Sequence, residues 1–339
     1  MHRVINTEKP KLILQFNEAN FDIIYKYVHK YQFHGIKKFL NKSNKINTTS
    51  EEKYENLEPW IQWYSFYSGK GYDKHGIYHL GDCLKKHNDL FSEQQAIKGK
   101  RVGVFGSMNM PPSKHYNIYI PDPWTNAKSD NSLSSRIVSS TMRKIINSNI
   151  KLNISLQHIL GLCLLIGYPK SIIDIKMIFK SFLYFFTKSR ENLASIFDYF
   201  FVKYSIQRIL NKKLDLSLIF LNGFAHVQHH YLLSSEFVNG KNPEWYVKEG
   251  NDPIYKSLKI YNDLFEKIYR DIGDDFELWI ITGLTQSPHV EPIFYWRFND
   301  HQKIFKEFLN VDFVVNPRMS RDFEIQVSNE ETMDTVQEF

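Results

Sequence analysis

Residues 11–18 read Lys-Leu-Ile-Leu-Gln-Phe-Asn-Glu, and a helical pattern follows over residues 21–40. A short apolar run that passes into polar residues and then into a helical pattern predicts a strand–turn–helix unit. In an open α/β sheet, functional groups gather at the carboxyl ends of the strands. Asn17 and Glu18 occupy that position, so both are candidate site residues.

Three other runs of the same kind follow along the chain. They are residues 101–105 (RVGVF), 216–221 (LSLIFL) and 277–282 (ELWIIT), and residues 311–315 predict a fifth strand. Strands that alternate with helical stretches indicate an α/β fold, with a mostly parallel central sheet flanked by helices.

Composition limits the classes of protein. The chain has 339 residues, 42% of them hydrophobic, and only two cysteines, which favours a reducing, cytoplasmic compartment. The net charge of +6 is mild and indicates an anionic small molecule or glycan as partner, not a nucleic acid polymer. The start lacks a signal-peptide pattern, and no apolar run approaches the roughly 20 residues of a transmembrane helix. We therefore expect no transmembrane segment.

The chain divides by composition into four parts. Residues 1–132 and 214–325 predict the two parts of the α/β core, residues 133–213 a helical insert or lid, and residues 326–339 a frayed acidic tail. Residues 142–213 contain twelve Lys or Arg and three acidic residues. A solvated basic face, a lid over an anionic ligand and a peripheral contact with a membrane surface all remain open for this insert.

The segment 56–77 contains the most specific motif. It includes Pro59-Trp60, then Ser68-Gly69, then His75-Gly76-Ile77. The segment resembles the nucleophile region of type I phosphodiesterases and nucleotide pyrophosphatases, a sulfatase-like branch of the alkaline phosphatase superfamily. The resemblance implies an alkaline phosphatase-like sheet with a basic helical insert. It also implies turn roles for Gly69 and Gly76 and a structural role for His75.

The resemblance also implies a change of chemistry. In the relatives, two metal ions activate a Thr or Ser nucleophile, but here that position falls on or beside Pro59. Proline cannot attack phosphorus, so Glu58 beside it becomes a candidate catalytic residue. The metal-ligand positions at three strand ends read Asn17, Ala225 and Gly283-Leu284. These departures argue against the two-metal mechanism.

Three histidines follow the strand at residues 216–221. His229 matches a metal-binding histidine of the relatives, whereas His226 and His230 are four residues apart and would share one helix face. We predict His226, Glu58 and Glu18 as catalytic residues, and His229 and His230 as ligands of one divalent metal, zinc or manganese. A site without any metal remains the alternative.

Polar residues at the strand ends predict substrate contacts. They are Asn17, Asn222, Gln286, Arg318 and Arg321. The two arginines could hold a phosphate or carboxylate bidentately, or could pair with nearby acidic residues.

Two functions from different classes fit these residues. One is a divergent phosphodiesterase or sulfatase-like enzyme that acts on a phosphorylated or sulfated glycan or nucleotide. The other is a non-catalytic pseudoenzyme that binds a phosphosugar, a nucleotide or a partner protein.

Overall fold

A five-stranded, all-parallel sheet forms the centre of the molecule. The computed structural model describes residues 8–86, 89–147, 155–186, 191–289, 298–317 and 323–338. The strand order is β3-β2-β4-β1-β5, and the strands are β1 (Lys11–Phe16), β2 (Val102–Phe105), β3 (Ile118–Ile120), β4 (Leu216–Leu221) and β5 (Glu277–Ile281). This confirms the predicted α/β class with a parallel central sheet flanked by helices.

Both faces of the sheet are covered. Along β1, Leu12 and Leu14 join one hydrophobic cluster, and Ile13 between them joins the other. Along β4, Ile219 and Phe220 divide between the two clusters in the same way. Successive side chains of a strand point to opposite faces, and a parallel sheet packs helices on both. This explains why β1 and β4 have apolar residues on both faces.

Helices connect the strands on the two faces. In the described residues they are α1 (Phe21–Tyr31), α2 (His34–Lys42), α3 (Pro59–Ser68), α4 (Tyr72–His75), α5 (Phe91–Ile97), α6 (Leu133–Asn147), α7 (Leu156–Ile166), α8 (Ile172–Phe186), α9 (Leu193–Lys212), α10 (Gly223–Tyr231), α11 (Pro253–Ile272), α12 (His301–Phe308) and α13 (Glu330–Glu338). Short 3-10 turns lie at Tyr54–Asn56, Asp82–Leu84 and Leu232–Ser234.

The predicted helix over residues 21–40 is two helices. Asn20 caps α1, because its side chain accepts a hydrogen bond from the amide of Ile23 at 3.0 Å. The helix ends at Tyr31, since Gln32 takes the left-handed conformation with φ 51°, which cannot continue a right-handed helix.

Pro59 is the first residue of α3. Proline suits this position, since its fixed φ matches the helix and the missing N–H would have no partner inside the helix. Gly69 ends α3 with φ 64° and Gly76 ends α4 with φ 60°, so both serve turns as predicted. His75 is 3% exposed and its ring lies 3.0 Å from the Ser65 hydroxyl, which fits its predicted structural role.

Helices α6 to α9 lie within residues 133–213, the segment predicted as a helical insert, and α9 is part of the central core. Phe201 and Tyr199 on α9 are 1% exposed or less and belong to the same hydrophobic cluster as β1. The insert is therefore anchored in the core through α9, while α7 and α8 pack outside that helix.

A buried ionic network joins α8 to the core helices. Asp174 on α8 accepts a hydrogen bond from Tyr199 at 2.8 Å, and its carboxylate lies 3.6 Å from Lys203 and 3.5 Å from Lys267. Burial alone would raise the pKa of Asp174. The amide of Lys170, the Tyr199 hydroxyl and the two lysines together hold that pKa below its usual value.

The C-terminal region differs from the prediction in two ways. The predicted strand at residues 311–315 corresponds to β6 (Phe313–Pro317), which pairs antiparallel with β7 (Phe323–Val327) in a separate sheet. A short apolar run predicts a strand but not its partner, and β3 is the fifth strand of the main sheet. The predicted frayed tail contains α13. A partly buried Val336 packs against a small C-terminal cluster with Phe313 and Val315.

No helix among the described residues combines the length and the apolar character needed to cross a membrane.

Replacing Asp174 with alanine should destabilise the protein. The change leaves the buried ammonium groups of Lys203 and Lys267, each 1% exposed, without their shared carboxylate, and breaking a buried ion network costs about 3–5 kcal/mol. Urea unfolding should therefore show a large loss for Asp174→Ala. The control Asp312→Ala, at an exposed position, should differ from wild type by less than about 0.5 kcal/mol. Equal stability of the two variants would contradict the network's role.

Candidate functional site

The register of two central strands determines where the site lies. Phe16 of β1 pairs with Leu221 of β4, so the next residues, Asn17 and Asn222, lie side by side at the carboxyl edge of the sheet. The amide group of Asn17 donates to Oδ1 of Asn222 at 2.8 Å. The indole N–H of Trp63 on α3 donates to Oδ1 of Asn17 at 2.7 Å. The predicted substrate residues Asn17 and Asn222 therefore meet, held in place by Trp63.

Glu18 has a strained backbone. Its φ is 51° and the residue is 7% exposed, although a non-glycine residue in the left-handed region costs on the order of 1–3 kcal/mol. Its amide donates to the carbonyl of Thr282 at 2.8 Å, and its carbonyl accepts from the Gln228 side chain at 2.8 Å. Such strain persists where the surroundings fix the backbone, and it is frequent at functional sites.

The carboxylate of Glu18 gathers three donors on one oxygen. Oε2 accepts from Nε2 of His229 at 3.0 Å, from Nε2 of Gln286 at 3.1 Å and from the Asn17 amide at 3.4 Å. We call this set the Glu18 cluster: Asn17, Glu18, Asn222, His229 and Gln286. These five residues were predicted from the sequence, and the structure brings them together at one edge of the sheet.

His229 is the accessible member of its pair. Its side chain is 58% exposed, whereas that of Glu18 is 10% exposed. An ionised carboxylate only accepts hydrogen bonds, so Nε2 of His229 must carry a proton. In the neutral ring, Nδ1 then has the free lone pair. The buried carboxylate thus fixes both the orientation and the tautomer of an exposed imidazole.

The other two histidines form a separate contact. The rings of His226 and His230 lie 4.8 Å apart, and Nδ1 of His230 is 2.6 Å from the Tyr246 hydroxyl. Their shared helix face is therefore as predicted. Burial lowers the pKa of His226, and the nearby His230 and His229 lower it further. Burial and the nearby His229 also lower the pKa of His230. Glu18 thus pairs with His229, while the predicted catalytic His226 packs against the predicted ligand His230.

A buried carboxylate supports the start of α10. Asp198 accepts from the amide of Gly223 at 2.7 Å and from the Tyr261 hydroxyl. Burial raises the pKa of Asp198 to about 7, and this effect outweighs the two hydrogen bonds, which by themselves lower the pKa. A Cβ at Gly223 would lie 2.5 Å from the carbonyl oxygen of Ala194, so only glycine fits there. This contact positions Asn222 and the helix that presents His229.

Gly283 occupies the position where the relatives have a metal-binding pair. Its φ is +71°, and a Cβ there would lie 3.0 Å from the ring of Trp63. The left-handed backbone and the indole both require glycine. The ring of Trp63 fills the space beside Gly283.

The remaining predicted residues are Glu58, Arg318 and Arg321. Glu58 is the half-buried residue preceding α3, and its catalytic role stays a prediction. Arg318 and Arg321 lie outside the described residues. In the parts of the chain that the structure describes, no three His, Cys, Asp or Glu side chains are grouped to hold a metal ion. The donor set of the Glu18 cluster, with three amides, does not fit the two-metal centre.

An open groove borders the cluster. It encloses about 380 Å³ and includes Asn20, whose side chain donates to the Gln286 carbonyl at 2.8 Å. Its other lining residues are Asp22, Ile23, Lys26, Phe237, Val238, Asn239, Pro288 and His289. A second groove, of about 570 Å³, lies near Lys11 and Glu277 at the amino ends of β1 and β5, on the opposite edge of the sheet. The first groove therefore offers ligand space beside the Glu18 cluster.

The fold and the cluster define a parallel α/β protein with a carboxylate–histidine pair at the carboxyl edge of its sheet. No model of a known protein family matches the chain, and no curated protein matches it in sequence.

Three residues of the site were missed as functional candidates. Gln228 bonds the Glu18 carbonyl and also accepts from the Asn20 amide at 3.0 Å, and its place between His226 and His229 could have suggested it. Trp63 lies in the segment 56–77, whose motif gives no separate signal for this residue. Asp198 lies inside a helix of the insert, and its sequence neighbourhood offers no signal of a site.

Asp198→Asn should flatten the pH dependence of stability. The carboxyl has a pKa of about 7 in the folded protein, above the ordinary 3.8, so its contribution is complete below about pH 4 and is lost as pH rises through about 7. Wild type should lose on the order of 4 kcal/mol relative to the variant between those values, at about 1.4 kcal/mol per pKa unit. Urea unfolding at pH 4, 5, 6, 7 and 8 measures this difference.

The control for this experiment is Asp312→Asn, at an exposed position. Its stability should follow that of wild type at every pH. Parallel pH profiles for wild type and Asp198→Asn would contradict the raised pKa of Asp198.

Proposed function

We propose that the chain is a divergent member of the alkaline phosphatase superfamily. In this proposal it acts on a phosphorylated or sulfated substrate, a glycan or a nucleotide, through the Glu18–His229 pair. The 3.0 Å hydrogen bond between the buried Glu18 carboxylate and the exposed His229 ring supports the proposal most directly. A histidine oriented by a carboxylate is a frequent proton carrier in enzymes.

The proposed chemistry assigns a role to each member of the pair. Nδ1 of His229 accepts the proton of an attacking water or hydroxyl while the bond from phosphorus or sulfur to the leaving oxygen breaks. The same ring then returns that proton to the leaving oxygen. Glu18 stabilises the positive charge that forms on the ring in between.

Amide groups supply donors for the anionic group. Asn222 accepts from Asn17 through Oδ1, and this bond does not use its NH₂ group, which can donate to a phosphate or sulfate oxygen. Arg318 and Arg321 remain proposed ligands of the same group. No step of the proposed reaction uses a metal ion, because the amides of the cluster do not fit the relatives' metal centre.

The pseudoenzyme is the competing function. By the resemblance, Asn17 replaces a charged metal ligand with an amide, and both Asn17 and Gln286 are engaged by protein partners. Such a cluster could bind an anion without transferring a proton. A turnover assay separates the two functions.

His229→Gln should abolish most turnover. Purified protein would be tested in the presence of a chelator on an aryl phosphodiester, an aryl phosphate, an aryl sulfate and a nucleotide phosphodiester. We expect turnover of at least one of them, and a fall in kcat of about 10²–10⁴-fold in His229→Gln, because a positioned proton carrier contributes that much. Glu18→Gln should lower kcat as well, since a neutral amide stabilises the charged ring less.

The matched control is His115→Gln, at an exposed histidine outside the Glu18 cluster, which should keep wild-type kcat. Absence of turnover together with calorimetric binding of a nucleotide or phosphosugar would favour the pseudoenzyme. Turnover that survives in His229→Gln would remove the Glu18–His229 pair from the mechanism.

A further inference from the structure

Helices α7 and α8 expose a large apolar surface. We define the α7–α8 surface by Leu156, Ile159, Tyr168, Ile172, Ile175 and Phe179, whose exposed fractions run from 49% to 83%. Single exposed apolar residues are normal in soluble proteins, but large contiguous patches mark interaction sites. These residues fall within 24 consecutive positions of the chain.

The exposed residues follow a helical repeat. On α8, Ile172, Ile175 and Phe179 are spaced by three and four residues, and so lie on one side of the helix. On α7, Leu156 and Ile159 are followed at the same spacing by the exposed Cys163. Each helix therefore carries an exposed apolar stripe.

The two helices already bury their opposite sides. Leu165 of α7 is 2% exposed, and Met177 and Asp174 of α8 are fully buried. Leu165 and Met177 belong to the main hydrophobic cluster. The exposed apolar stripes are thus separate from the faces of α7 and α8 that pack on the core.

The charge around this surface is positive. Between residues 155 and 186 the chain has three lysines, Lys170, Lys176 and Lys180, and its single acidic residue is Asp174, which is buried in the ionic network. Lys176 and Lys180 also lie 3.8 Å and 3.5 Å from the carboxylate of Asp263 on α11. One carboxylate shared between two lysines leaves the charge of this surface positive. In the sequence, Lys188 and Arg190 follow α8. An apolar helix face bordered by lysines is typical of helices that lie at the surface of an anionic membrane.

We propose that the α7–α8 surface lies in the interface of an anionic lipid bilayer, with its apolar side chains among the acyl chains and the exposed Lys170 and Lys176 at the headgroups. Helix α8 has 15 residues and is about 22 Å long, shorter than the roughly 30 Å hydrocarbon core. It therefore lies along the membrane. This proposal is independent of the Glu18–His229 chemistry.

Vesicle co-sedimentation tests the proposal with the full chain. We expect binding to vesicles of equal parts phosphatidylglycerol and phosphatidylcholine, weaker binding at high salt, and little binding to phosphatidylcholine alone. The double variant Ile175→Asp/Phe179→Asp should lower the affinity by roughly tenfold or more, since it removes two anchoring side chains and adds two negative charges.

The matched control is Ile46→Asp/Ile97→Asp, which adds the same two negative charges at two apolar residues elsewhere that are 80% and 62% exposed. It should bind vesicles as wild type does. Circular dichroism and thermal unfolding would verify that both double variants remain folded.

A probe on Cys163 gives a second readout. The thiol is exposed, whereas Cys83 is buried, so a solvent-sensitive fluorophore attaches selectively to Cys163. Its emission should shift to the blue when anionic vesicles are added. The same fluorophore on Ser50→Cys, an exposed position, in a Cys163→Ser background should not shift.

Three results would overturn the proposal. They are failure of wild type to sediment with anionic vesicles, equal binding of the two double variants, and equal binding to uncharged vesicles. Sedimentation velocity would separately detect a second copy of the chain as the occupant. A dimer that only Ile175→Asp/Phe179→Asp dissociates, without vesicle binding, would assign the surface to self-association.

Discussion

The pairing of β1 with β4 is the constraint on which the site depends. Because Phe16 pairs with Leu221, the two asparagines that follow the strands meet, and Glu18 turns back over the sheet edge in a left-handed conformation. A shift of one residue would turn every side chain of β1 to the other face and would move Asn17 away from Asn222. Helix α10 then brings His229 to the carboxylate.

The sequence contains enough to predict four of the five strands of the main sheet and the members of the Glu18 cluster, because both rest on local patterns. Buried parallel strands are short apolar runs, and the residues after them must gather at one edge. The partner of β6 could not be predicted, since an apolar run does not specify a neighbour. The pairing of Glu18 with His229 instead of His226 depends on which side of α10 faces the β1 turn, and helical spacing does not determine that. Trp63 and Asp198 support the site from distant segments.

The predicted insert has two structurally different parts. Helix α9 is as deeply buried as the strands and carries Asp198, which supports the start of α10. Helices α7 and α8 pack on it and expose apolar side chains. The site and the α7–α8 surface are thus connected through one helix. Asp174 links α8 to the core through ion pairs, since its partners Lys203 and Lys267 lie on α9 and α11.

The central position of β1 has a consequence for synthesis of the chain. Both neighbours of β1 come late, since β4 begins at Leu216 and β5 at Glu277. After it leaves the ribosome, β1 therefore waits for about 200 more residues, which take on the order of 10–40 s at ordinary rates of elongation. During that time an apolar strand has no partner on either side. Pairing across such a separation is slow, so a chaperone that covers the nascent amino-terminal segment would raise the yield of folded protein.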